Sequence, residues 1–195
     1  MERFYIATTN KGKLKEYEQM FNQLNIDIVS LYEKYPEAQD VEETGMSFKE
    51  NAILKAEAYS EAFQINVLAD DSGLVVDALN GEPGIYSARY AGEAKDDQKN
   101  LQKVLKKLIE VPHEDRTGAF ICAIALAQPG KETIVVEGRC DGIIATEPKG
   151  TEGFGYDPIF IPDGYKETLA ELGDDEKNKI SHRRRALDKI VETIR

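Results

Sequence analysis

Two adjacent carboxylates, Asp70 and Asp71, end an apolar run over residues 65–69. Ser72 and Gly73 follow with turn chemistry, and Leu74, Val75 and Val76 return to strand-forming residues. If the run is a buried strand, both carboxylates sit together at its end. Two like charges that close repel, and burial raises the cost. A divalent cation or a set of basic partners relieves the repulsion, and hard cations prefer oxygen ligands. Taken alone, an acidic pair more often marks an exposed turn closing a hairpin. The weight therefore falls on matching parts elsewhere in the chain.

The first such part is Thr8, Thr9, Asn10, Lys11, Gly12 and Lys13, set between a short apolar run and an amphipathic segment. Asn10 suits a helix N-cap, and Gly12 lets the backbone come close to a ligand. A strand, a polar loop and a helix start carrying lysine welcome a phosphate through backbone N–H groups and the positive end of the helix dipole. This is not a Walker A loop: the glycine spacing differs, and Leu14 stands where a Ser or Thr would follow the lysine. Glu42 and Glu43, just ahead of a helix, are either solvated loop charges or the source of a further carboxylate for the same cation. Phe154, Gly155, Tyr156 and Asp157 read as a loop entering a strand. An aromatic beside glycine offers a face on which a base stacks, or else it packs a turn. Lys177, His182 and Arg183 supply positive charge near the end of the chain. On one helix over about residues 178–194, Arg183 falls inside the apolar stripe and His182 points well away from it. An arginine on a buried side needs an anionic partner, a carboxylate or a phosphate.

Positioning these residues takes alternating strands and helices. Residues 4–7 predict a short buried strand, and the helix after it has Leu14, Tyr17, Phe21 and Leu24 at helical spacing. Residues 26–31 predict a second strand. Ser47 and Glu50 have the spacing of a capping box. The helix they open carries Phe48, Ala52, Ala56, Tyr59 and Phe63 on one stripe, with Glu50, Asn51 and Lys55 off or beside it. Asn80-Gly81 predicts a hairpin turn. Residues 96–110 predict a helix with lysines outward, and residues 119–127 a strand apolar on both faces. Residues 133–137 and 142–146 add two further strands. Strands and helices alternate in the first half and strands dominate the middle, which predicts α/β with a mixed sheet.

A chain of 195 residues is long enough for one domain, residues 1–195, with a sizeable core. Its 41% hydrophobic and 31% charged residues fit a globular protein and exclude a disordered one. No apolar run reaches the length of a membrane span, so no membrane partner is expected. Met1, Glu2 and Arg3 lead straight into strand-like residues without the apolar core of a signal peptide. Cys122 and Cys140 have no metal-like spacing and suit a reducing compartment. The expectation is a cytoplasmic protein. A net charge of -11 disfavours a nucleic-acid polymer, whose binding needs a basic surface. It leaves room for a small triphosphate held by a few focused lysines and arginines.

Seven segments then occur in order. They are Thr8-Thr9-Asn10-Lys11-Gly12-Lys13, Glu42-Glu43-Thr44-Gly45, Phe48-Lys49-Glu50-Asn51-Ala52-Ile53-Leu54-Lys55-Ala56, Ala69-Asp70-Asp71-Ser72-Gly73-Leu74, Gly84-Ile85-Tyr86-Ser87-Ala88-Arg89-Tyr90, Phe154-Gly155-Tyr156-Asp157-Pro158 and Ile180-Ser181-His182-Arg183. Together they closely resemble the inosine/xanthosine triphosphate pyrophosphatase family over nearly the whole chain. The resemblance implies hydrolysis of the non-canonical purine nucleotides ITP, dITP and XTP to the monophosphate and pyrophosphate, with Mg²⁺, by a homodimer. It implies an elongated, two-lobed α/β fold with a long mixed central sheet flanked by helices and an active-site cleft between the lobes. By position, Thr8, Thr9, Asn10, Lys11, Gly12 and Lys13 bind the phosphates, assisted by Lys55. Glu43 and Asp71 hold the metal with Asp70 beside them, Asp71 is the general base, and Ser72 touches the substrate. Phe154, Gly155, Tyr156, Asp157, Lys177, His182 and Arg183 receive the base. The residues by themselves do not separate base from metal ligand within the Asp70–Asp71 pair; the resemblance assigns the base to Asp71. Rival readings are a relative aimed at modified pyrimidine triphosphates and a non-catalytic nucleotide sensor. The intact set Glu43, Asp70 and Asp71 argues against the sensor.

Overall fold

The computed structural model describes residues 3–194, and the expected leaderless start at Met1 and Glu2 lies outside them. The first elements follow the apolar pattern. Strand β1 (Phe4–Ile6) leads into helix α1 (Lys11–Leu24), whose N-cap Asn10 accepts from the Lys13 N–H. Asn25 ends that helix in the left-handed region, where asparagine is tolerated. Strand β2 (Ile28–Ser30) and the short helix α2 (Leu31–Lys34) come next. Helix α3 (Phe48–Phe63) is capped by Ser47, which accepts from the Glu50 N–H. The reciprocal half of the predicted box is not closed as expected: Glu50 reaches past Ser47 to the Met46 N–H.

Six strands form one sheet. Besides β1 and β2 these are β3 (Val67–Val76), β4 (Thr117–Ala127), β5 (Ile134–Ile144) and β6 (Phe160–Pro162), in the order β2-β1-β3-β4-β5-β6. β1 runs parallel to β2 and to β3, with Tyr5 opposite Val29 and Val67. β5 and β6 are antiparallel, with Ile143 opposite Ile161. The sheet is thus mixed, and the parallel β1–β2 pair is joined by a helical crossover, as parallel pairs require. The remaining helices are α4 (Asp97–Lys107), α5 (Leu169–Leu172), α6 (Asp174–Ile180) and α7 (His182–Ile194). Among the described residues no helix is long and apolar enough to cross a membrane.

The chain groups into two compact units, each with its own core. The first comprises Met1–Asp71, Cys122–Gly138 and Arg183–Arg195. In it Tyr17, Met20 and Phe21 of α1 pack with Phe4, Ile6, Leu68, Ile124 and Leu126 of the strands and with Leu187 and Ile190 of α7. The second comprises Ser72–Ile121 and Arg139–His182. There Leu101, Val104 and Leu108 of α4 pack with Leu74, Val76, Phe120, Ile144 and Phe160.

Four expectations are corrected. Asp70 and Asp71 do not end their strand; β3 runs through them and through Ser72 and Gly73. Leu74 and Val76 are fully buried in the second core, and this burial outweighs the local turn tendency. Residues 133–137 and 142–146 belong to one strand, β5. Its polar middle keeps a two-residue alternation, with Gly138, Cys140 and Gly142 buried and Arg139 and Asp141 exposed. The Asn80-Gly81 turn forms with both residues at positive φ, but it closes only an isolated bridge from Val75 to Pro83. The last helix is broken: Ser181 is extended (φ -64°, ψ 158°), and α7 starts afresh at His182. A wheel drawn across the break misplaces His182, which is buried and stacked on Phe120 at 4.8 Å and 15°.

Arg116, buried among apolar neighbours, donates to the carbonyls of Leu108, Val111 and Ala145. Arg116→Met strands those carbonyls. The loss expected in urea unfolding is about 3 kcal/mol or more; a change below about 0.5 kcal/mol, the level of an ordinary surface substitution, contradicts this account.

Candidate active site

Asp70 and Asp71 are neighbours on a strand, so their side chains leave on opposite sides. Each meets a different set of partners within the first unit. Asp70 is 2% exposed. Its carboxylate lies 3.2 Å from the Lys13 ammonium and 3.3 Å from the Arg183 guanidinium, and the buried Cys122 thiol donates to it at 3.7 Å. Burial favours the neutral acid here. Lys13, Arg183 and Lys55 outweigh burial and hold Asp70 well below the usual carboxylate range. Arg183 also donates to the buried Glu16 of α1. The anionic partners that Arg183 called for are therefore carboxylates. Cys122 is a neutral donor, because burial pushes its thiol up to about 12.

Asp71 faces the start of α3. There the Asn51 amide donates to its Oδ2 at 3.0 Å. Burial pushes this carboxyl up to about 6. Lys13 and Lys55 oppose that push, while the charge of Glu43 adds to it. Glu43 itself is paired with the Lys55 ammonium at 2.7 Å, and that ammonium also donates to the Asp70 carbonyl at 2.5 Å. Burial works against the Lys55 charge, but Asp70 and Glu43 prevail and keep its pKa above the ordinary value.

The strand–loop–helix around Asn10 forms as expected. Thr8 accepts from the Asn10 N–H, Asn10 caps α1, and Gly12 and Lys13 lie in the first helical turn. Thr9 and Lys11 are exposed. The structure thus brings Lys13, Glu43, Lys55, Asp70, Asp71 and Arg183 together. Ser72 follows Asp71 on β3 and is half-buried.

A second cluster lies within the second unit. The Lys177 ammonium pairs with Asp157 at 2.6 Å and sits 4.5 Å above the Phe154 ring. Asp157 also accepts from the Phe154 N–H. Gly153, at φ +74°, passes so close to the Asp157 carboxylate that a side chain there would collide with it. The Gly155 N–H is held by Asp97, and the Tyr156 hydroxyl donates to the Ser87 carbonyl. A turn of glycine and aromatics is thereby fixed from several directions, with Phe154 and Gly155 half-buried at its tip. His182 on Phe120 belongs to the same unit.

Two residues of the first cluster escape a reading by residue type. Glu16 looks like one more helical surface charge, and Asn51 lies beside an apolar stripe. The motif containing Asn51 was the available signal for it; nothing in the sequence singles out Glu16.

The donors present fit a magnesium ion. Asp71 is a buried carboxylate with no paired cation among the described residues and with the charge of Glu43 nearby, and a hard cation relieves both the burial and the repulsion. Among the described residues no group of three His, Cys, Asp or Glu side chains forms a closed metal site. Mg²⁺ does not ask for one, since it typically takes one or two carboxylates and completes its shell with water and substrate phosphates.

A model of the Ham1 family matches residues 4–193. A dITP/XTP pyrophosphatase of Halalkalibacterium halodurans is 56% identical over 190 residues, 97% of this chain and 97% of its own. One from Bacillus cereus is 50% identical over 196 residues, 100% of this chain and 95% of its own. Among solved structures, the Ham1 protein of Staphylococcus aureus matches with a TM-score of 0.88 at 45% identity, over 99% of this chain and 98% of its own. A HAM1 protein from Coxiella burnetii matches with a TM-score of 0.88 at 40% identity, over 100% and 98%.

The raised Asp71 has a consequence for stability. The folded state binds this proton more tightly than the unfolded chain, so stability falls as pH rises from about 4 towards the folded value of about 6. Asp71→Asn removes that loss. In EDTA at pH 7.5 the variant is expected to be more stable than the parent by on the order of 2–3 kcal/mol, with the gap closing near pH 4. Urea unfolding at the two pH values checks it, and a gap independent of pH contradicts it.

Proposed function

The chain belongs to the Ham1 family, and on that footing we propose that it hydrolyses dITP, ITP and XTP to the nucleoside monophosphate and pyrophosphate, clearing them from the nucleotide pool. Residues 1–195 act as one pyrophosphatase domain. The observation that carries the reading is the contrast within one pair of carboxylates. Asp70 is ion-paired and stays ionised, which makes it a poor base. Asp71 has no such ion pair among the described residues: its carboxylate takes one hydrogen bond, from the Asn51 amide to Oδ2, and keeps Oδ1 for a water or a cation. This supports Asp71 as the base and Asp70 as the group that steadies Lys13.

The reaction needs a water oriented at the α-phosphorus, its proton removed, and charge stabilised on the departing diphosphate. Asp71 orients the water and takes the proton. Lys13, the N–H groups of the loop containing Thr8, Thr9, Asn10, Lys11 and Gly12, and Lys55 meet the phosphate charge. Glu43 and Asp71 would hold Mg²⁺, which when bound supplies electrostatic stabilisation of the phosphates. Ser72, next to Asp71, touches the substrate. We assign the base to Phe154, Gly155, Tyr156, Asp157, Lys177 and His182: Phe154 offers a ring, and Lys177 and backbone N–H groups offer donors. Donors suit the 6-oxo group of hypoxanthine and xanthine, and they leave the 6-amino group of adenine facing another donor, which is costly when buried. Arg183, expected with this group, is engaged by Glu16 and Asp70, which favours a role in holding Asp70. The resemblance carries a homodimer, to be checked by light scattering. We place the enzyme in the cytoplasm, in keeping with two buried cysteines that form no disulfide.

Purified protein with Mg²⁺ is expected to release pyrophosphate from dITP at least about a hundredfold faster than from dATP, judged by kcat/KM. EDTA and Asp71→Asn should each abolish turnover. Release of single orthophosphates, or equal rates on the two nucleotides, would sink the proposal. Faster turnover of methylated pyrimidine triphosphates would favour the pyrimidine-directed rival.

A further inference from the structure

Asn51 sits in the first two turns of α3 and is 2% exposed. Its side chain makes two bonds of opposite sense. The Gly45 N–H donates to its Oδ1 at 2.8 Å, and its Nδ2 donates to Asp71 Oδ2 at 3.0 Å. The two partners fix the orientation of the amide, because an N–H must meet the oxygen and a carboxylate must meet the NH₂ group. Gly45 lies two residues beyond Glu43. One turn further along α3, Lys55 makes a parallel link: its ammonium joins Glu43 to the Asp70 carbonyl. The loop containing Glu43 is therefore tied to β3 at two successive rungs of one helix.

We propose that Asn51 is a positioning residue for this site. Its amide clasps the Glu43-bearing loop to the Asp71 carboxylate, so that both acids face one divalent cation. The proposal rests on the reading of Glu43 and Asp71 as the metal-holding pair. With Oδ2 engaged by the amide, Oδ1 of Asp71 is the oxygen left for a cation or a water. The residue type follows from the task. A carboxylate at 51 has no donor for Asp71, and a hydrocarbon serves neither partner. The loop also meets Asn51 too closely to carry a side chain: a methyl on Gly45 would stand 2.6 Å from Asn51 Oδ1 and 2.7 Å from Glu50 Cβ. Gly45 takes no positive φ, so this close approach is what its lack of a side chain serves.

Asn51→Ala and Gly45→Ala break the clasp from its two ends. Binding of Mn²⁺ in the absence of nucleotide, followed by electron paramagnetic resonance of the free ion, reads the arrangement without relying on turnover. Both variants are expected to melt cooperatively, to bind Mn²⁺ about 10–100-fold more weakly than the parent, and to lose kcat on dITP by a similar factor. A helix-packing role alone lowers the melting temperature and leaves Mn²⁺ affinity where it was. A folded variant whose Mn²⁺ affinity stays within about twofold of the parent overturns the proposal. If Asn51→Ala does not fold, Gly45→Ala carries the test. A parent protein that binds Mn²⁺ but leaves dITP intact defeats the pyrophosphatase reading and not the clasp, which the variants' Mn²⁺ affinities still decide.

Discussion

The structure depends on the burial of two consecutive carboxylates in the middle of a strand. An unpaired buried charge costs several kcal/mol even after relaxation, so each acid must find partners from a different side. Asp70 finds Lys13 and Arg183, from the two helices at opposite ends of the chain. Asp71 finds the amide of Asn51. Much of the first unit follows from meeting these demands. α1 must present Lys13 in its first turn and Glu16 one turn on, α7 must begin so that Arg183 faces inward, and α3 must lay Asn51 and Lys55 along β3.

The two acids end up chemically unlike because their partners differ in charge. Cations drive Asp70 down, while burial and a nearby acid drive Asp71 up. Adjacent groups pushed in opposite directions by their surroundings are a pattern that recurs at functional sites. The same division explains why a buried ion network of Glu16, Arg183, Asp70 and Lys13 is worth keeping. Buried ion pairs often add little net stability once desolvation is counted, but they hold the groups they join in fixed positions.

The second unit solves a different problem. A turn of glycine and aromatics has little structure of its own, so side chains from elsewhere hold it: Asp157 with Lys177, Asp97 on the Gly155 N–H, and Tyr156 on the Ser87 carbonyl. Asp157 and Lys177 thus meet each other, at 3% side-chain exposure each, and their pairing leaves the Phe154 ring beside an ammonium. The ammonium over the ring gains a cation–π attraction that helps hold the turn.

The sequence by itself determined the long helices α1, α3 and α4, the N-caps Asn10 and Ser47, and the strand–loop–helix around Asn10. Apolar period and capping chemistry are local and speak through residue type. It also carried the family resemblance, through seven segments in order. Tertiary structure decided what depends on burial by distant segments. The strand continues through Asp70 and Asp71 because Leu74 and Val76 are drawn into a core. The final helix breaks at Ser181 and so turns His182 inward. Arg183 is answered by carboxylates. Asn51 becomes a bridge because a loop six residues earlier and a strand twenty residues later converge on one amide. Residue type states that an amide has a donor and an acceptor; which groups it joins is set by packing, which no short window of sequence contains.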